Sequence, residues 1–279
     1  MHHDQLLRRV AAGSAVAATI LLLALTALAQ QSTPVALAPA AAAAPAAKCM
    51  VAADIAHFDL PLSRLAVRMA GGLPIKIVAI GSSSTYGAGS SAPTAAYPSR
   101  LEAELNLHFP GHALTVVNSG VNGEEANDML ARFEAGVIAE NPHLVIWQVG
   151  TNSLLRDRPL DPRGVVLHDG LARLKASRTD VVLMDPQYAP RVLAKADRDA
   201  VVAQIAQIAK EEKVGLLRRY AMMRQWHETD RLPFDAFVTA DGLHMNDWGY
   251  ACLAKSVGAA IAEAVNRPTE TASVPRPTR

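Results

Sequence analysis

Five short apolar runs, at residues 75–80, 113–117, 144–149, 181–184 and 214–217, constrain this chain more than any other feature. Each is short for a helix and is dominated by Val, Ile and Leu, as strands buried on both faces are. Between them apolar residues recur at helical spacing. Leu101, Leu105 and Phe109 form one such set, and Leu130, Phe133, Val137 and Ile138 another. Val202, Ile205, Ile208 and Ala209 form a third, and Leu253, Val257 and Ile261 lie in register along a last helix at residues 247–265. Strands alternating with helices require parallel pairing through right-handed crossovers. The expected fold is therefore α/β, a three-layer α/β/α sandwich around a parallel sheet of about five strands. Such sheets bind ligands beyond the carboxyl ends of their strands.

The ends of the chain read differently. Arg8 and Arg9 precede an apolar run that closes on the small-residue pattern Ala27-Leu28-Ala29. Charged, then apolar, then small is the order of a secretory signal. The run is also close to the roughly 20 residues that span a bilayer, so an uncleaved anchor is the other reading. Gly13, Ser14, Thr19 and many alanines keep it only moderately hydrophobic, which favours a cleaved signal over residues 1–29. Both readings put the remainder outside the cytoplasm, secreted or periplasmic, with membrane contact only through an uncleaved N-terminal segment. Residues 30–48, rich in Ala and Pro, read as a linker, and residues 49–72 as a lead-in with a short helix around residues 62–69. Residues 73–266 form the expected domain. The tail at residues 267–279 has the composition of a disordered segment.

The formal net charge of the 279 residues is +1, and the basic residues form no stripe, so nucleic acid is not an expected partner. The two cysteines, Cys49 and Cys252, either form one disulfide in an oxidising compartment or remain two thiols. Neither stands near a histidine at a metal-like spacing, so no metal site and no cysteine nucleophile is expected.

The chemistry-bearing residues fall at the ends of the strands. The first run leads into Gly81-Ser82-Ser83-Ser84-Thr85-Tyr86-Gly87, the second into Asn118 to Gly123, and the third into Gly150-Thr151-Asn152-Ser153. A late segment, Asp241-Gly242-Leu243-His244, precedes the last helix. A serine hydroxyl is a weak nucleophile until a base takes its proton, and histidine with a carboxylate behind it is suited to that work. Taken singly, a serine-rich turn is more often a cap and an Asp-Gly pair more often a turn. No lysine follows the serines as in a Walker loop, so a nucleotide site is not expected. The Gly-x-Ser-x-Gly elbow of the ordinary α/β-hydrolases is also missing, because position 85 is Thr. Trp147 and Trp248 read as packing residues, and His108, His112 and His143 as surface residues at the opposite ends of the strands.

Taken together, the four segments resemble the blocks of the SGNH hydrolases, also called GDSL lipases or esterases, over roughly residues 75–265. The resemblance implies a flavodoxin-like sheet and a serine ester hydrolase that needs no cofactor. It implies Ser83 as nucleophile, two residues after Gly81 and four before Gly87, with His244 as base and Asp241 orienting it. The N–H groups of Ser83 and Gly123 and the side chain of Asn152 would form the oxyanion hole. Two positions depart from the family pattern: Ser82 and Ser153 stand where it has Asp. No long apolar lid is evident, so short acyl esters are the expected substrates, acetyl groups on polysaccharide included. Two other functions fit the same residues: transfer of the acyl group to a sugar hydroxyl, and a glycan-binding domain without catalysis.

Overall fold

The computed structural model describes residues 49, 51–158, 161 and 163–267, and all of them belong to one compact unit. The expected signal or anchor at residues 1–29, the linker to residue 48 and the tail beyond Arg267 lie outside the described residues. Among the described residues no helix is long and apolar enough to cross a membrane.

The strands are β1 (Ile75–Gly81), β2 (Leu114–Gly120), β3 (Leu144–Gln148), β4 (Asp180–Met184) and β5 (Gly215–Leu217). They pair in the order β2-β1-β3-β4-β5, and every pairing is parallel. This is the flavodoxin-like doubly wound order. From β1 the chain moves outward to β2, then returns past β1 to β3, so the switch point lies between β1 and β3. Side chains of β1 and β3 are buried almost without exception because helices cover both faces.

The helices follow from this winding. On one face α1 (Ser63–Ala70) and α3 (Tyr97–His108) pack against the terminal helix α11 (Asp247–Asn266). A single turn, α2 (Ser83–Tyr86), stands directly after β1. The connection from β2 to β3 carries α4 (Ala126–Ala131) and α5 (Phe133–Gly136). After β3 come α6 (Thr151–Leu155) and α7 (Val165–Ala176), after β4 α8 (Pro190–Leu193) and α9 (Arg198–Glu211), and after β5 α10 (Arg219–Arg224). Helix α7 packs against α4 and is tied to the end of α9 by Lys175 and His168, both of which bond Glu212. Trp147 of β3 is fully buried and meets Phe133 edge-on at 4.8 Å between ring centroids.

The structure departs from the sequence pattern at several points. Strand β2 runs on to Gly120, so Asn118 and Ser119 are strand residues. The expected helix over residues 130–138 is broken into α4, α5 and a turn of 3-10 helix at Ile138–Glu140. The break falls at Arg132 (φ −112°, ψ 12°), whose guanidinium is held by the Glu124 carboxylate and by Ser119. Phe109 lies just past the end of α3. Helices α7 and α10 were not signalled by the pattern. The residues read as a lead-in are part of the core: Phe58, Leu62 and Leu65 are buried, and Arg267 reaches back to the Phe58 carbonyl. His143 is no surface ornament, because its Nδ1 accepts from the Lys76 N–H at 2.9 Å where β1 begins.

Cys49 and Cys252 are joined by a disulfide, with their Cα atoms 5.1 Å apart. Cys252 is fully buried in α11, so the bond anchors the start of the described chain to the core.

Candidate active site

The site begins with a turn that builds itself. Asp241 Oδ1 accepts from the N–H groups of Leu243 and His244, at 2.8 and 3.0 Å, and from Thr239 Oγ1 at 2.7 Å. Thr239 N–H closes the same turn on the His244 carbonyl at 2.8 Å. The second oxygen, Oδ2, is left to face His244 Nδ1 at 2.5 Å. A short carboxylate side chain that bonds its own backbone in this way is what makes Asp a turn residue. Beyond the turn, Asn246 caps α11 by accepting from Gly249 N–H.

A carboxylate on Nδ1 selects the tautomer with its proton there, which leaves Nε2 with a lone pair. Nε2 lies 2.8 Å from Ser83 Oγ. The three expected residues thus form one hydrogen-bonded line, Asp241–His244–Ser83, although 161 positions separate Ser83 from His244. Partial burial opposes ionisation of Asp241. The hydrogen bonds from His244, Thr239 and Leu243 outweigh it and hold the carboxyl well below the usual carboxylate range. A line of this kind can draw the proton from a serine hydroxyl as that oxygen attacks.

Ser83 is the first residue of α2, so its N–H has no partner within the helix. Gly123 sits at φ +81°, a conformation open to glycine and strained for other residues. Among the described residues neither N–H is taken by an acceptor. Asn152 Nδ2 donates to the Glu124 carbonyl at 2.8 Å, which uses one amide hydrogen and leaves the other. These donors stand at the ends of β1, β2 and β3, around the switch point, where unpaired N–H groups favour developing negative charge.

The two departures from the family pattern each have a partner. Ser82 is buried, and both its N–H and its Oγ donate to Gln148 Oε1, at 2.9 and 3.0 Å. Ser153 Oγ donates to Glu125 Oε2 at 3.2 Å. Asn118 spans the start of the site: its Nδ2 donates to the Tyr86 carbonyl and its Oδ1 accepts from Gly120 N–H. Trp147 is core, and Trp248 packs edge-on against buried Trp226. Sequence reasoning missed Gln148, Arg156 and Gln187, which hold these segments in place. Each is a single polar residue with partners far along the chain.

Two cavities are lined by residues that follow Ser83 and Asn152 in sequence, and neither is lined by Ser83 or His244. One, of about 470 Å³, runs over Tyr86, Gly87, Ser90, Ser91, Asn118 and Gly120. The other, of about 350 Å³, lies along Glu125, Asn127 and Ser153.

Comparison with known proteins bears on the family and the fold. Residues 48–267 match the sequence model of the Non-GDSL lipase-like family. That description differs from the GDSL resemblance of the four segments and is in keeping with Ser82 at the position of the usual Asp. The chain is 31% identical over 94 residues to an acetylxylan esterase of Geobacillus stearothermophilus. That match spans 30% of this chain and 43% of the relative, less than half of its length. Among solved structures, a catalytic variant of an acetylxylan esterase from Geobacillus stearothermophilus superposes with a TM-score of 0.58 at 23% identity, covering 67% of this chain and 94% of that one. A two-domain esterase active on acetylated mannans gives a TM-score of 0.62 at 21% identity, over 76% of this chain and 56% of that one. At these identities the structural likeness speaks for the fold.

Proposed function

The chain belongs to the Non-GDSL lipase-like family, and from that premise we propose that it is an exported serine esterase that removes short acyl groups, acetyl above all, from polysaccharide. The observation that carries the reading is the unbroken line from Asp241 through His244 to Ser83, at 2.5 and 2.8 Å. In this reading the four segments do the work of the SGNH blocks. Ser83 Oγ attacks the ester carbonyl while its proton passes to His244 Nε2. The negative oxygen of the tetrahedral intermediate is met by the N–H groups of Ser83 and Gly123 and the free amide hydrogen of Asn152. Collapse breaks the ester bond, and the sugar hydroxyl leaves with the proton from His244. Water then attacks the acyl-enzyme, giving its proton to His244, and acetate departs as Ser83 recovers its own.

The relatives named above supply the substrate class, since they act on acetylated xylan or mannan. The exposed ring of Tyr86, one turn from Ser83 and beside the 470 Å³ groove, suits an apolar sugar face. Export rests on the sequence of residues 1–29 and agrees with a cystine bond in the domain.

The test is hydrolysis of p-nitrophenyl acetate and of acetylated xylo- and manno-oligosaccharides by the protein and its Ser83→Ala variant. Acetate release by the parent and none by the variant is expected. Equal release by both would remove Ser83 from the reading, and a higher kcat/KM on long-chain esters would overturn the short-acyl assignment. N-terminal sequencing of protein recovered from the cell envelope or medium tests export, which retention of the intact chain in the cytoplasm would refute.

A further inference from the structure

Behind the site lies a buried polar cluster that the catalytic line does not use. Its centre is Gln187, 1% exposed, in the segment that leaves β4. Gln187 Oε1 accepts from Thr151 Oγ1 at 3.0 Å and from Arg219 Nη2 at 2.9 Å. Gln187 Nε2 donates to the Leu243 carbonyl at 3.4 Å. Thr151 immediately precedes Asn152, and Leu243 immediately precedes His244. A single side chain is therefore bonded to the segment that bears the oxyanion asparagine and to the segment that bears the base.

Arg219 determines which way the amide faces. It is fully buried, and its Nε donates to the Asp185 carbonyl at 3.0 Å. A guanidinium only donates, so the oxygen of Gln187 must face it and the NH2 must turn to Leu243. Arg219 Nη1 has no partner among the described residues, so the cation depends heavily on the oxygens it does have. Asp185 lies beside it, buried, with Oδ1 accepting from Tyr220 N–H at 2.9 Å. Burial raises the Asp185 carboxyl, with the Tyr220 N–H and the Arg219 charge opposing, while Arg219 keeps its proton.

We propose that Gln187, oriented by Arg219, is a positioning residue that fixes the spacing between His244 and Asn152. The proposal rests on the catalytic reading given above. In that reading the base and the oxyanion donor act on the same carbonyl group from different segments. Displacement of one relative to the other by about 1 Å lowers turnover on the order of 100-fold without removing any reacting group.

The experiment pairs Gln187→Glu with Thr151→Val. The first keeps size and both accepted bonds but replaces the donor to Leu243 with an oxygen. The second removes the other connection and leaves the shape. With p-nitrophenyl acetate, kcat is expected to fall roughly 10- to 100-fold in Gln187→Glu, with KM unchanged within about twofold and a retained cooperative melt. Thr151→Val should lose kcat in the same manner, and the double variant should lose no more than Gln187→Glu alone. Unchanged kcat in a folded Gln187→Glu protein, a loss confined to KM, or losses that multiply in the double variant would each overturn the proposal. The His244 imidazole N–H resonance is a readout independent of turnover: it should shift or broaden in Gln187→Glu, and an unmoved resonance would refute the coupling. A parent protein without activity on any ester would instead sink the proposed function and leave that resonance to decide the positioning role.

Discussion

Arg156 Nη2 donates to the Gly123 carbonyl at 2.8 Å, while Nη1 of the same guanidinium reaches Glu125 Oε1 at 2.6 Å. The glycine proposed to offer its N–H to the oxyanion is thus clamped from its other side by an arginine four residues after Asn152. Glu125 in turn takes the Ser153 hydroxyl. Replacing Arg156 with Ala frees the Gly123 turn and is expected to lower kcat by about tenfold. Lys, which lacks the planar fork, should recover little of that. Steady-state kinetics on p-nitrophenyl acetate decide the matter, and a kcat equal to the parent's would show that the turn holds without its clamp.

Asn152→Ala removes the amide donor proposed to meet the negative charge of the oxyanion. The expected loss is about 100- to 1,000-fold in kcat with KM nearly constant, because the missing bond forms fully only in the transition state. A rise in KM with kcat preserved would make Asn152 a substrate contact and nothing more.

The pH response follows from Asp241. Its carboxyl is held below the usual range, so it remains ionised well into acid. The contribution of a depressed carboxyl is present above the ordinary carboxylate pKa and is lost as pH falls through the lower, folded-state value. Over roughly pH 4 to 9, Asp241 should therefore contribute no proton to any acid loss of kcat/KM. A limiting slope of two on the logarithmic plot would mean that Asp241 titrates in that window.

Restoring the familiar Asp of the first block should do harm. Ser82 is buried with its N–H and hydroxyl both on Gln148 Oε1. A carboxylate there faces an oxygen, and if the amide turned over to meet it the Ser82 N–H would lose its acceptor. Ser82→Asp is expected to destabilise the fold by at least about 2 kcal/mol, read as a lowered midpoint in urea. An equal or higher midpoint would show that Gln148 adapts at no cost.

The Cys49–Cys252 bond joins residues 203 positions apart. Cys49→Ser is expected to cost about 2–5 kcal/mol, or roughly 5–15 °C in Tm. Calorimetry with and without reductant measures it, and coincident melts would mean that the cross-link adds nothing to the folded state.

Much of this was legible because burial on both faces leaves a plain mark. The runs that became β1, β3 and β4 carry almost no polar residue, and Leu253, Val257 and Ile261 trace α11. Ser83, Asp241 and His244 were legible through the resemblance of two short segments to the SGNH blocks, each of which is local in sequence. Helix α7 was not, since Gly170 interrupts its pattern. In the fold that glycine serves close packing: a Cβ there would stand 2.4 Å from Trp147 Cη2. Gln148, Gln187 and Arg219 were illegible for a different reason. Each is one polar residue in an apolar setting, and its meaning lies in partners 32 to 66 positions away. No local period records such a bond.

The same cystine bond has a topological side. Residues 49 to 252 form a covalent ring, and all five strands, Ser83 and His244 lie on it. A ring cut once is still one piece. A protease that nicks any single loop between those cysteines adds a water and frees no fragment, and the two new ends remain tethered to the sheet. On a gel without reductant the nicked protein runs as one band, and only reduction separates its halves. Two cuts are needed before any part of the site can be lost.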